Sequence, residues 1–263
     1  MANTAEPTPT LSSPNPQKNQ PVIACDQPGR VQRYDLPSEL MGEKLPFSVY
    51  FPPCYGNGVQ DAYPTLYLLH GLSFDDTQWQ RLGILPMADQ LIQNGRTVPF
   101  IIVMPFEQYQ YRRVENNRFP LALVNELIPW VEDNLGAKPG KLRRAIGGIS
   151  RGASWAVRIG LQHWDLFGAI GAHSLSASRD DLEYLPKWLD VIPADQIPRI
   201  YLDIGSTDPA IKDARKFEAM LKELGVLPEW HLNDGRHNEE YWQAHVGEYL
   251  RWYTLPWQIL PSP

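Results

Sequence analysis

Apolar and polar positions along this chain follow two periods, one typical of β-strands and one typical of α-helices, and segments of the two kinds alternate. The pattern predicts strands at residues 63–71, 97–105, 141–150, 167–174 and 198–208, and a strand followed by a loop at residues 228–237. Segments with helical spacing lie at residues 83–95, 119–136, 151–167, 214–225 and 239–253. Strands that alternate with helices of about ten to fifteen residues predict a mainly parallel sheet with helices on both faces, which places the chain in the α/β class.

The first and the later parts of this pattern differ from the regular alternation. Residues 30–38 and 44–53 read as two strands separated by a turn-like Met41-Gly42-Glu43, which predicts an antiparallel hairpin at one edge of the sheet. Residues 106–118 read as a polar and aromatic loop. The segment from Ser176 to Gln196 breaks the alternation, so we expect an irregular insertion that could fold over a site as a partial lid.

The first 24 residues have a composition of their own, rich in Pro, Thr, Ser and Asn and poor in large apolar residues. Such a segment cannot bury enough surface to offset its ordering entropy, so residues 1–24 are predicted to be a disordered linker and residues 25–263 one catalytic domain. No apolar signal region precedes it. A Pro/Thr tether is typical of the segment after a cleaved secretion or lipoprotein signal, so we expect an exported protein: periplasmic, lipid-tethered at the cell surface, or extracellular.

The two cysteines, Cys25 and Cys54, flank segments that read as strands. They could meet across the hairpin, and a bridge closing a loop of about 29 residues would contribute on the order of 3–4 kcal/mol in the chain-entropy model. The alternative is two unrelated free thiols. No spacing of Cys and His suggests a metal site, and no cofactor is implied.

Charge and hydropathy exclude two classes of function. The net charge is 24 − 30 = −6 and Lys and Arg do not cluster, so nucleic-acid binding, which needs a basic surface, is not expected. No apolar run approaches the roughly 18 residues of a membrane span. The nine Trp and twelve Tyr are expected to lie mostly in the core, with a minority lining a pocket for an apolar or cyclic ligand.

A G-x-S-x-G motif carries the first chemical signal. Ser150 is its centre, between Gly148 and Gly152, and it lies between a predicted strand and a predicted helix. That strand–turn–helix setting is what a nucleophile elbow requires, because the tight turn lifts the serine hydroxyl above the sheet, beside the helix N-terminus. The alternative is a glycine-rich turn with an incidental serine.

A serine nucleophile needs a base and an acid that orients the base, and in such folds the acid and then the base come after the serine along the chain. Asp208 lies just beyond a predicted strand and is preferred as the acid, although it could also cap the next helix. Asp203 is the competitor, but it lies within the strand. His237 lies on the loop after the last predicted strand, so it is the predicted base.

The remaining candidates surround this triad. The backbone N–H groups of Leu72 and Arg151 are predicted to form the oxyanion hole, since Leu72 lies in the loop after an earlier strand and Arg151 comes directly after the nucleophile. Position alone suggests pocket residues: Phe74, Trp79, Tyr109, Tyr111 and His173.

These pieces together resemble the Putative esterase family of α/β-hydrolases, which includes esterase D, feruloyl esterases, enterochelin esterases and mycolyltransferases. The matching segments include LLHGLSFDDTQW, GGISRGASWAVRIG, YLDIGSTD and NDGRHNEEYW, and they span roughly residues 47 to 253 in the family's order. The resemblance implies an α/β-hydrolase fold and places Ser150, Asp208 and His237 at the triad. The feruloyl-esterase branch, which is often secreted, looks nearest.

Three positions depart from the family pattern. Arg151 stands where an uncharged residue is common, so its guanidinium is expected either to favour an acidic substrate or to pair with a nearby carboxylate. Asn238 replaces the usual aromatic residue after the histidine, which weakens the transfer of a feruloyl substrate. Ser73 stands where S-formylglutathione hydrolases carry a cysteine, which argues against that thioesterase role.

The function expected from these observations is hydrolysis of a small-molecule or carbohydrate-linked ester, of feruloyl type or another small or aromatic ester, through an acyl-enzyme on Ser150. One alternative is siderophore lactone hydrolysis or acyl transfer at the same triad. Another, of a different class, is a non-catalytic binding protein on a hydrolase scaffold. A monomer and a homodimer are both compatible with the sequence.

Overall fold

The structure, a computed structural model, describes residues 27–56, 62–112 and 116–258. The predicted linker at residues 1–24 lies outside this part of the chain, and so does Cys25, so the linker and the Cys25–Cys54 disulfide both stay predictions. Within the described part, none of the helices is long and apolar enough to cross a membrane.

A sheet of eight strands forms the centre of the molecule. The strands are β1 Arg30–Ser38, β2 Glu43–Phe51, β3 Thr65–Leu69, β4 Ile101–Pro105, β5 Arg144–Ile149, β6 Ala169–His173, β7 Arg199–Gly205 and β8 Glu229–Asn233. Their order across the sheet is β1-β2-β4-β3-β5-β6-β7-β8. The β1–β2 and β2–β4 pairs are antiparallel and the remaining pairs are parallel, so the predicted hairpin and the predicted parallel sheet are both present.

The helices cover both faces of this sheet. They are α1 Gln78–Arg81, α2 Ile84–Gln93, α3 Phe119–Ala122, α4 Ile128–Asn134, α5 Arg151–Gln162, α6 Arg179–Asp190, α7 Ile211–Glu223 and α8 Glu239–Thr254. Strand β3 shows why two layers are needed: Tyr67 and Leu69 pack into one apolar cluster, with α4, α5 and α6, and Leu66 and Leu68 into the other, with α2 and α8. A strand buried on both faces has to be apolar almost throughout.

The helix predicted over residues 119–136 is interrupted. A π-helical segment, Leu123–Leu127, separates α3 from α4. Pro129 lies just beyond this segment and has no N–H to donate to the carbonyl four residues earlier, which favours a local widening of the helix. The helical direction is kept, but its hydrogen-bond register changes.

The expectation of an irregular insertion between Ser176 and Gln196 is wrong. Most of this segment is helix α6, which buries Leu182, Leu185 and Leu189 in the core instead of forming a loop over the site. Ser178 and Asp181 form a capping box at its N-terminus, a signal that the sequence carries as S-x-x-D. Pro186 within the helix is the residue that argues against this assignment at the level of sequence.

Candidate active site

Ser150 occupies a sharp turn between β5 and α5. Its backbone has φ 55° and ψ −114°, a conformation that L-residues rarely adopt and that costs on the order of 1–3 kcal/mol. The backbone N–H of Ser150 donates to His173 O at 2.9 Å, which ties the turn to the neighbouring strand β6. The sequence's strand–turn–helix pattern is therefore realised with the serine at the point of strain.

Two glycines allow this turn because the backbone segments around it nearly touch. A Cβ atom at Gly148 would lie 2.9 Å from Ala153 N and closer still to Gly152 O. A Cβ atom at Gly152 would lie 2.6 Å from His70 O and closer to Leu69 O. Both obstacles are backbone atoms, which cannot rotate away as a side chain could, so any side chain at either position pushes α5 away from the sheet.

Replacing Gly152 with alanine is therefore expected to lower the free energy of unfolding by about 1–3 kcal/mol or more, because backbone has to move. Thermal unfolding monitored by circular dichroism measures the effect. Gly247→Ala in α8 is the matched control, since its Cβ atom would meet the ends of flexible Met87 and Arg251 side chains and alanine favours helices. A Gly152→Ala protein as stable as wild type would contradict the close approach.

The side chains of Ser150, His237 and Asp208 form one chain of hydrogen bonds. Ser150 Oγ lies 2.9 Å from His237 Nε2, and His237 Nδ1 lies 2.8 Å from Asp208 Oδ2. Because a carboxylate only accepts, Nδ1 carries the proton and Nε2 is free to accept the serine O–H. The histidine side chain is 26% exposed and the aspartate side chain is fully buried. All three residues lie beyond the carboxyl ends of parallel strands, at the same edge of the sheet.

Asp208 is held as a carboxylate. Burial raises its pKa, but hydrogen bonds from His237, from Ala210 N–H at 2.8 Å and from the Ser174 hydroxyl outweigh burial and leave the pKa below its ordinary value. The negative form therefore persists at neutral pH, which is the form that can orient an imidazole and stabilise an imidazolium.

Two residues that no sequence motif singles out support this carboxylate. Ser174 comes directly after β6 with φ 52°, so its hydroxyl turns towards Asp208. Trp242 Nε1–H donates to Ser174 Oγ at 2.9 Å, and the indole packs edge-on against the His237 ring with centroids 5.2 Å apart. No local pattern marks either residue, because their role depends on three strands and α8 meeting in space.

Asp203, the competing acid, serves a different histidine. Its Oδ1 lies 2.6 Å from His173 Nδ1, and its Oδ2 accepts hydrogen bonds from the hydroxyls of Tyr241 and Tyr249. His173 Nε2 lies 3.0 Å from Tyr253 Oη, and the histidine is completely buried. The prediction that His173 lines the pocket is therefore corrected: its ring is enclosed by core side chains and both nitrogens are bound there.

Leu72 lies in the loop after β3, between two residues whose backbone N–H groups are hydrogen-bonded. Gly71 N–H donates to Gln78 Oε1 at 2.8 Å and Ser73 N–H donates to Gln110 Oε1 at 2.5 Å. Between them, Leu72 N–H meets no acceptor in the residues that the structure describes. Arg151 is the first residue of α5, whose leading N–H groups have no partner within the helix. Within the described residues, Leu72 N–H and Arg151 N–H thus lie near the Ser150 turn without a protein acceptor.

The Arg151 guanidinium forms a two-point ion pair with a carboxylate. Its Nε and a terminal nitrogen donate to the two oxygens of Glu107 at 2.8 and 2.6 Å. Of the two expectations for this arginine, pairing with a carboxylate is the one that the structure shows. The guanidinium is therefore not available as a free cation for an acidic substrate.

The other pocket candidates divide into surface and core residues. Tyr111 is 78% exposed and its hydroxyl lies 2.7 Å from Ser73 Oγ. Phe74 is half-buried beneath Arg81, and Tyr109 is half-buried against Arg112. Trp79 is corrected: it is 1% exposed and its Nε1–H donates to Leu69 O at 3.1 Å, so it is a core residue under the loop after β3.

A cavity of about 450 Å³ lies elsewhere on the molecule. Its lining includes Arg144, Ala169 and Arg199, the first residues of β5, β6 and β7, so it opens at the sheet edge opposite to Ser150. Within the described residues, no group of three or more His, Cys, Asp or Glu side chains is placed to hold a metal ion.

Known proteins resemble this chain both in sequence and in fold. An endo-1,4-beta-xylanase/feruloyl esterase of Xylanibacter ruminicola is 28% identical over 221 residues, which is 80% of this chain and 29% of that protein. The matches cover 29% to 37% of the length of the first three curated relatives. A ferulic acid esterase structure superposes with a TM-score of 0.77 at 22% identity, covering 87% of this chain and 98% of the other.

A further structure, a ferulic acid esterase of Anaeromyces mucronatus in complex with ferulic acid, superposes with a TM-score of 0.73 at 19% identity and covers 94% of this chain and 98% of its own. These likenesses confirm the predicted α/β-hydrolase fold. The model of the family described as "Putative esterase" matches residues 38–253. Since that match covers most of the chain, this protein belongs to the Putative esterase family.

Proposed function

We propose that this protein is a serine hydrolase of carboxylic esters that forms an acyl-enzyme on Ser150. The observation that carries the proposal is the continuous hydrogen-bond chain from Ser150 Oγ through His237 to the buried carboxylate of Asp208. A chain of this kind can remove the serine proton and stabilise the resulting imidazolium. A binding protein on the same scaffold would not need it.

The reaction is a sequence of proton transfers and acyl transfers between these groups. His237 Nε2 takes the Ser150 proton as Oγ bonds to the ester carbonyl carbon, and Asp208 stabilises the imidazolium. The N–H groups of Leu72 and Arg151 donate to the carbonyl oxygen as it becomes an oxyanion. The imidazolium then protonates the leaving alcohol, and water cleaves the acyl-enzyme by the same sequence of steps. These roles use side chains and backbone of this chain alone.

The substrate class that we propose is an ester whose acyl part is small or aromatic and carries no negative charge near the reacting carbonyl. Support comes from the surroundings of the nucleophile: Leu72 is 42% exposed, Tyr111 is 78% exposed, and the adjacent guanidinium is paired with Glu107. The names of the relatives agree with a feruloyl ester. Asn238, which departs from the family, caps α8 by accepting Tyr241 N–H at 3.1 Å, so it has a structural reason of its own.

A panel of esters with a covalent label tests both parts of the proposal. We expect hydrolysis of p-nitrophenyl acetate and methyl ferulate, weaker hydrolysis of an acidic siderophore lactone, and labelling of Ser150 by a fluorophosphonate, located by peptide mass spectrometry. Prior labelling should abolish hydrolysis. Labelling at another serine, or hydrolysis that persists after complete labelling, would contradict the nucleophile. A preference for the siderophore lactone would keep the triad and overturn the substrate class.

We propose in addition that the chain is exported and carries the Cys25–Cys54 bridge, on the composition and cysteine placement described above. The linker at residues 1–24 and the single catalytic domain at residues 25–263 belong to the same proposal.

A further inference from the structure

Glu107 is a buried acidic residue beside the site. It lies two residues after β4, at the same edge of the sheet as Ser150, and its side chain is 3% exposed. No local pattern separates it from the rest of the polar loop at 106–118. Its position beyond the carboxyl end of a strand is nevertheless where functional groups of parallel sheets gather.

The Glu107 carboxylate accepts four hydrogen bonds, which fill its acceptor positions. Oε1 accepts from an Arg151 terminal nitrogen at 2.6 Å and from Asn117 Nδ2 at 2.5 Å. Oε2 accepts from Arg151 Nε at 2.8 Å and from Trp155 Nε1 at 2.9 Å. Arg151 and Trp155 are one turn apart on α5, so the carboxylate fixes the first turn of that helix against the end of β4. Arg151 N–H belongs to this turn.

The backbone of Glu107 reaches the other side of the site. Its N–H donates to His70 Nε2 at 2.9 Å, and His70 Nδ1–H donates to Gly71 O at 2.7 Å, in the peptide group that contains Leu72 N–H. This relay needs a neutral imidazole that donates at one nitrogen and accepts at the other. Burial lowers the pKa of His70, despite the opposing hydrogen bond to Gly71 O and nearby carboxylates, and so favours the neutral form.

Glu107 is thus one residue that is tied to both halves of the proposed oxyanion hole. We propose that Glu107 is a positioning residue that sets the spacing between Leu72 N–H and Arg151 N–H. The inference rests on the proposed function, because the two N–H groups matter only if an oxyanion forms between them. It gives Arg151 a role for its side chain in addition to its backbone. The guanidinium binds Glu107, and this contact fixes the position of the Arg151 backbone N–H.

A carboxylate is required for this arrangement. In a Glu107→Gln variant the amide NH₂ would face two of the four donors. The two hydrogen bonds that this oxygen accepts in the wild type are then lost, and the first turn of α5 is no longer fixed. The transition state should suffer more than the ground state, because substrate binding does not depend on the oxyanion donors. We expect kcat for p-nitrophenyl acetate to fall roughly 10²-fold, the size of losing one oxyanion donor, with little change in KM.

A transition-state analogue separates this role from a structural one. When Ser150 Oγ adds to the carbonyl carbon of an aryl trifluoromethyl ketone, its proton passes to His237 and the carbonyl oxygen becomes an alkoxide in the oxyanion hole. The affinity of Glu107→Gln for this ketone should fall by the same factor as kcat/KM. If Glu107→Gln does not fold, Arg151→Met, which removes the guanidinium but keeps the N–H, should show the same parallel loss.

Asp181→Asn is the matched control. Asp181 is equally buried, with a side chain 2% exposed, and pairs with Arg158 on the same helix as Arg151, seven residues further along. Its replacement should lower the melting temperature and leave kcat and the ketone affinity per folded enzyme unchanged. A Glu107→Gln variant with wild-type kcat, or with reduced kcat but wild-type ketone affinity, would overturn the positioning role. Ser150→Ala in the same assay tests the proposed function by itself: an unchanged rate there would overturn the hydrolase and, with it, this inference.

Discussion

Replacing Ser150 with alanine is expected to lower kcat for p-nitrophenyl acetate by a factor of about 10⁴–10⁶, which leaves only the catalysis that binding and the oxyanion donors can supply. Alanine removes the one oxygen within 2.9 Å of His237 Nε2, and no described side chain takes its place. The fold should be kept, because alanine has the same small Cβ at the strained turn. Initial rates with burst analysis, alongside thermal unfolding, measure both quantities.

Ser154→Ala is the matched control for this experiment. Ser154 lies one turn further along α5, and its hydroxyl donates to Ser176 O at 3.0 Å instead of to a histidine. We expect its kcat to stay within about threefold of wild type, since it removes an ordinary hydrogen bond worth about 1 kcal/mol. Ester hydrolysis that survives Ser150→Ala but not Ser154→Ala would place the nucleophile elsewhere.

Asp208→Asn is expected to lower kcat by about 10⁴, although the side chain keeps its size. The Asn side chain can turn its NH₂ towards His237 Nδ1, which would place the histidine proton on Nε2 and prevent that nitrogen from accepting the serine proton. It also removes the negative charge that stabilises the imidazolium. We expect the activity of this variant to recover partly as the pH rises, which a pH profile of kcat and kcat/KM measures.

The comparison variant Asp203→Asn should lose stability and keep its activity. Its carboxylate accepts from His173 and from two tyrosine hydroxyls within the core, so an amide there leaves a buried donor unmatched and costs about 1–3 kcal/mol of stability. We expect a lower melting temperature and a nearly unchanged kcat per folded enzyme. If Asp203→Asn were inactive and Asp208→Asn active, the two aspartates would have to exchange roles.

The order of elements along the chain is open to prediction because it depends on local pattern. Ser150 stands in a glycine-flanked turn, and Asp208 and His237 lie just beyond strands, so a parallel sheet brings all three to one edge whatever its details. The choice between Asp208 and Asp203 can be argued from loop placement alone. Both the strand alternation and the α/β class depend on residues that are near one another in sequence.

The supporting residues cannot be predicted in the same way. Ser174, Trp242 and Glu107 each have at least one essential partner 34 to 68 positions away, and no short motif encodes such contacts. The two wrong pocket assignments have the same origin. The positions of His173 and Trp79 along the chain suggest that they line the pocket, but their side chains point into the core. The capping box at Ser178 is a local signal for a helix, but Pro186 argues against that helix in the sequence.

The tyrosine cluster around Asp203 has a consequence for when the proposed active site is completed during synthesis. Tyr241, Tyr249 and Tyr253 belong to the final helix, and Tyr253 bonds a histidine 80 positions earlier. The strained serine and the free N–H groups are made long before these residues, and His237 arrives only just ahead of them. Under the proposed mechanism, a growing chain would therefore hold Ser150 before its base is made, and the helix that closes the core would also complete the active site.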